Sequence, residues 1–225
     1  EAETNLIIQV YKNKKSVDLD SEPENLDQID EKDILLEEWD VLTNAESSND
    51  SDNFIAEEHN LKNSNSFGLE KLFNKIVLIK KLREVRVLTG FNRKLPSNEN
   101  FVKVALDNKV NWMPACEVFG EGIFISLSSK EIDNWAKKNK EALSKRLSAM
   151  QNTYEKENLD FLPSPNAKFV LLHTLSHLLI RQLSFDCGYA GSSLQERIYC
   201  DESNMAGILI YTADADSEGS LGGLV

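Results

Sequence analysis

The chain has 225 residues, 41% hydrophobic and 28% charged, with 37 acidic against 25 basic residues and a net charge of −12. That is enough apolar material for one substantial core or two small ones, while acidity spread evenly over the surface would argue against a nucleic-acid partner. The longest apolar stretch, Phe169 to Ile180, is too short to span a bilayer and is interrupted by His173, Thr174, Ser176 and His177.

The charge is not spread evenly. Residues 1–66 hold 18 acids against 5 lysines, so residues 67–225 carry 19 acids against 20 bases. After a short apolar run, Leu6 to Tyr11, the segment is rich in Asp, Glu, Ser and Asn and lacks the apolar surface that offsets chain entropy. It reads as an acidic, largely disordered insert or linker over 1–66, either a variable loop or a stretch that docks on a basic partner surface. Asp33 to Leu42 suits a short amphipathic helix within it, and Phe54-Ile55 is a weaker apolar island.

Residues 67–160 read as a mixed α/β segment. Its first part, around Lys71, Lys75, Lys80, Lys81, Arg83 and Arg86, is the most basic stretch of the chain, and Val85 and Val87 alternate with Glu84 and Arg86 as in a half-buried strand. Arg93 and Lys94 follow in a loop before Pro96. These eight bases, with Phe73 and Phe91 beside them, suit contact with a phosphate backbone or an acidic partner, or form a solvated face. Val110 to Val118 and Gly122 to Leu127 flank Phe119-Gly-Glu121, which predicts a β-hairpin with Glu117 and Glu121 as surface or turn carboxylates. Ser128 or Ser129 with Glu131 forms a capping box for a helix; an exposed helix continues over 136–160, ended by Pro163 and Pro165.

In residues 161–225, Ala167 to Phe185 predicts an apolar helix, Ser192 to Tyr199 a second helix capped by Ser192 or Ser193, and Ala206 to Tyr211 a buried strand. The fold class is mixed α/β (α+β), with a polar loop at the carboxyl end of that strand where sites tend to sit. His173, His177 and Arg181 recur every four residues and form one polar stripe. Histidines at i and i+4 have metal-site geometry, but His-Thr-Leu-Ser-His lacks the glutamate a zinc protease places beside the first ligand. An anion pocket is the sharper reading of the stripe, and polar residues bracing the core are the plainer one. Asp214, Asp216 and Glu218 in the last loop would serve a metal-dependent nuclease or phosphodiesterase only if further carboxylates and a base converged on them. Cys116, Cys187 and Cys200 are odd in number and unevenly spaced, without a CxxC pair, and point to reduced thiols in a cytoplasmic protein. No P-loop or G-x-S-x-G elbow occurs. The opening Glu-Ala-Glu-Thr and closing Leu-Gly-Gly-Leu-Val read as an internal fragment.

The blocks His173-Thr-Leu-Ser-His-Leu-Leu-Ile-Arg181, Cys187-Gly-Tyr189, Ser193-Leu-Gln-Glu-Arg-Ile-Tyr199, Met205 to Ala213 and Asp216 to Leu224 together resemble the MrfA-like zinc-binding domain family. Upstream, Leu82-Arg-Glu-Val-Arg86, Trp112-Met-Pro-Ala115 and Gly120-Glu-Gly-Ile-Phe124 resemble the DrmB proteins of the DISARM anti-phage system. The resemblance covers about residues 70–225. It implies a non-catalytic partner of a DrmA-type helicase that engages DNA through the complex, with ATPase activity in the helicase. It also implies zinc in the full-length protein, from cysteines beyond Val225, and no metal or cofactor in this fragment.

Overall fold

The computed structural model describes residues 5–7, 31–45, 53–60, 71–88, 90–92, 101–103, 114–159, 163–201, 204–212 and 223–225. In chain order its elements are β1 (Asn5–Ile7), α1 (Glu31–Thr43), β2 (Phe54–Glu58), β3 (Phe73–Val87), β4 (Gly90–Asn92), β5 (Phe101–Lys103), β6 (Ala115–Leu127), α2 (Ser129–Lys138), α3 (Lys140–Lys156), α4 (Ala167–Cys187), β7 (Leu194–Cys200) and β8 (Ala206–Thr212). The class is mixed α+β, as the sequence predicts. No described helix is long and apolar enough to cross a membrane.

β3 pairs along its length with β6, but the phase expected from Val85 and Val87 is corrected: a bulge between Ile79 and Leu82 shifts the inward side from Val77 and Ile79 to Leu82 and Glu84, leaving Val85 and Val87 part-buried. The main sheet is antiparallel, in the order β1-β3-β6-β8-β7, with β2 also on β3; β4 and β5 form a separate pair. All seven residues of β8 are buried, because helices cover both faces of this strand. Leu209 and Tyr211 face α1 in a cluster with Val77, Ile79, Val118, Phe124 and Tyr199. Ala206 and Ile208 face the other way, against Leu172 and Leu175 of α4 and Ile132 of α2.

The two apolar islands of the acidic segment enter this core, an outcome its composition does not suggest. Leu35, Trp39 and Leu42 form one stripe of α1 on the sheet, and Phe54 and Ala56 of β2 join the same cluster. Trp39 packs edge-on to Phe124 at 5.6 Å. It sits over Gly207, where a Cβ would come 2.6 Å from its ring and 3.0 Å from the Ile125 carbonyl.

Two predicted elements are corrected. The expected hairpin over Val110–Leu127 is, from Ala115 onward, one continuous strand. Gly120 and Gly122 pair with Leu82 and Ile79 across a bulge in β3, and Gly122 lets β8 come close, its missing Cβ 2.9 Å from the Ile210 carbonyl. The glycines here serve close approach, not a turn. The expected helix over Ser192–Tyr199 is β7, because Leu194, Ile198 and Cys200 alternate toward α4 while Tyr199 faces the opposite core. Burial on two faces outweighs the helix propensity of Leu-Gln-Glu-Arg. The exposed helix after Trp135 breaks at Asn139 into α2 and α3, and Ser128 caps α2 by accepting from the Glu131 N–H.

Candidate functional site

His173 and His177 lie one turn apart on α4, and β7 runs beneath that face. Strand alternation turns Glu196 toward α4 and its successor Arg197 toward α1. The structure therefore joins the two imidazoles to a carboxylate that the helical reading of this segment missed. His173 Nε2 lies 2.9 Å from His177 Nε2 and 3.1 Å from Glu196 Oε1, and His177 Nε2 lies 3.6 Å from the same oxygen. The second oxygen of Glu196 accepts from the hydroxyl of buried Ser176, whose other contact is the His173 carbonyl at 2.8 Å. The Phe169 ring stacks on His173 at 5.6 Å. Arg181 stays exposed one turn further along.

A cavity of about 780 Å³ opens beside this cluster between α3, α4 and β7, with Leu35 of α1 and Arg197 also in its lining. Met150, Tyr154, Phe169 and Ile198 supply apolar walls, with His173 and Glu196 among its polar lining. Such a pocket, apolar with a few convergent polar groups, has the usual character of a ligand site.

Behind Glu196, Arg197 donates from Nε to Glu38 at 2.5 Å, and the Tyr199 hydroxyl donates to the same carboxylate at 3.0 Å. Burial works against the guanidinium charge, but Glu38 outweighs it and holds the Arg197 pKa above its ordinary value. Burial first, then the Glu38 charge, pushes Tyr199 well up. This α1-side ion pair and the α4-side cluster are built from consecutive residues of one strand.

The basic residues of β3 are largely engaged with carboxylates. Lys75 bonds the Thr43 and Ala45 carbonyls at the end of α1, at 2.8 and 2.9 Å, and pairs with Glu58. Lys80 pairs with Glu57, Arg83 with Glu117 and Arg86 with buried Glu84. Lys81 lies over the Phe119 ring at 5.0 Å, and Lys71 is exposed. Arg93 and Lys94 lie outside the described residues, as do Asp214, Asp216 and Glu218.

What flanks that last loop is described. Glu121, expected at the surface, is buried, and it accepts from the Tyr189 hydroxyl at 2.8 Å and from the Gly223 and Leu224 N–H groups at 3.1 and 2.7 Å. Its own N–H donates to Thr212 Oγ1. Glu121 thus bonds both Thr212 and the Gly223-Leu224 backbone. Burial, then the Glu121 carboxylate, pushes Tyr189 up to about 12. The cysteines form no ligand set among the described residues: Cys116 and Cys187 are exposed, and Cys200 packs beside α4 with its thiol pushed up to about 11 by burial.

No protein-family model matches the chain. Over 163 residues, 68% of the chain, it is 42% identical to the DISARM protein DrmB of Bacillus paralicheniformis, and the matched stretch spans 29% of that protein's length. Along that stretch the chain is a DrmB relative, the relationship its ordered blocks of residues imply.

Proposed function

Taking kinship with DrmB as the premise, we propose that the chain serves in a cytoplasmic DISARM-type anti-phage system as a non-catalytic subunit that scaffolds a DrmA-type helicase and contacts DNA within that complex. The observation that carries the reading is the 42% identity to DrmB. The charge arrangement supports it in kind. Bases on β3 already neutralised by neighbouring carboxylates favour a protein partner over independent DNA binding, because phosphates would have to displace existing ion pairs. Exposed Leu178 and Phe185 on α4 add apolar surface of the sort a partner covers.

Co-expression of the full-length protein with its neighbouring helicase, followed by size-exclusion chromatography with and without forked DNA, tests this. Co-elution that DNA strengthens is expected. Charge reversal at Lys71, Lys80, Lys81, Arg83, Arg93 and Lys94 should weaken it; Lys75 and Arg86 are left intact because they brace the fold. Separate elution under every condition would remove the reading.

A further inference from the structure

We propose that His173, His177 and Glu196 form a site for one divalent transition-metal ion of the zinc class, with a remaining coordination position open to the neighbouring cavity. Three donor atoms converge here, the one set of His, Cys, Asp and Glu among the described residues whose ligand atoms lie within 4.8 Å of one another. Ligands held at about 2.0–2.1 Å in a tetrahedron stand about 3.3 Å apart. The observed separations of 2.9, 3.1 and 3.6 Å bracket that value. Two imidazoles and a carboxylate match the donor preferences of zinc, iron, cobalt and nickel better than those of calcium or magnesium, which favour all-oxygen shells.

The surroundings are those of a prepared site. Ser176, fully buried, holds the far oxygen of Glu196, and Phe169 stacks on His173, so two of the three donors are oriented by neighbours. The three donors come from two elements, and an ion there would staple α4 to β7. His173 and Glu196 also line the cavity, so the ion would stand in its wall, where water or an oxygen-bearing ligand could complete the shell. With three protein ligands and one open position, the set has the composition of an open site, not a closed structural one.

The test uses full-length protein stripped with a chelator and titrated with cobalt(II), then competed with zinc. The expected result, over and above any cobalt that cysteines elsewhere in the full-length protein take up with a thiolate charge-transfer band, is one further equivalent with the visible absorption of a low-coordinate complex and no added thiolate band, displaced by zinc. That equivalent should vanish in His177→Ala and Glu196→Gln, and Ser176→Ala should weaken it about 10- to 100-fold. His177 is largely exposed, so its variant provides a control that folds, checked by circular dichroism. No thiolate-free cobalt equivalent in the parent protein, or one that persists unchanged in both ligand variants, would overturn the proposal and leave the cluster as a hydrogen-bonded brace.

Discussion

The two faces of the sheet are built from the same strands but closed in different ways. On the α1 face, Trp39, Phe124 and Tyr199 interlock and a buried ion pair, Glu38–Arg197, sits among them. On the α4 face the packing is aliphatic near β8 but opens toward β7, where half-exposed His173, largely exposed His177 and Glu196 stand beside a cavity. Glu196 and Arg197 are neighbours in sequence. Strand alternation gives one to the histidine cluster and the other to the buried ion pair with Glu38, so adjacent residues of one strand carry separate roles although both reach the cavity wall.

The sharpest way to break that comparison is to truncate the buried side. Arg197→Ala leaves Glu38 buried without its cation and should cost about 3–5 kcal/mol in denaturant unfolding; a loss below 1 kcal/mol would mean that the α1 face relaxes to admit water. Gly207→Ala forces a Cβ against Trp39 and the Ile125 carbonyl, an overpacking change expected to cost about 1–3 kcal/mol by the same measurement. Across the strand, Glu196→Gln keeps the shape of an accessible group and should cost about 1 kcal/mol or less. A cost equal to that of Arg197→Ala would erase the distinction between the faces.

The smallest effect is a pH dependence. The folded pKa of Tyr189 lies above its ordinary value of 10, so its contribution to stability is complete below pH 10 and is lost as pH rises toward about 12. Tyr199 and Tyr211 are shifted in the same direction. Thermal melts across this range should fall for the parent chain and fall less steeply for Tyr189→Phe; identical slopes would show that the bond to Glu121 does not couple to titration.

Local signals in the sequence account for much of the fold. The capping box at Ser128, the apolar length of α4 and the short buried run of β8 each announce themselves within a few residues. What escapes local reading depends on partners far away. Leu-Gln-Glu-Arg becomes a strand only because β8 lies beside it and helices lie on both faces, and Gly120 and Gly122 look like turn residues until the bulge in β3 and the approach of β8 are known. The candidate site was legible by half for the same reason. His173 and His177 repeat along one helix, whereas Glu196 reaches them only through a register that pairs it with Ile210. Its trace in sequence is the two-residue alternation of Leu194, Ile198 and Cys200, outvoted by helix-forming neighbours.

The ion pair between Glu38 and Arg197 joins residues 159 positions apart, and this separation bears on how the chain is made. At about 5–20 residues per second, α1 leaves the ribosome roughly ten to thirty seconds before the strand that neutralises Glu38 exists. During that interval Trp39, Leu35 and Leu42 have no finished sheet to rest on, and the acidic residues around them keep the nascent segment hydrated until β7 and β8 arrive.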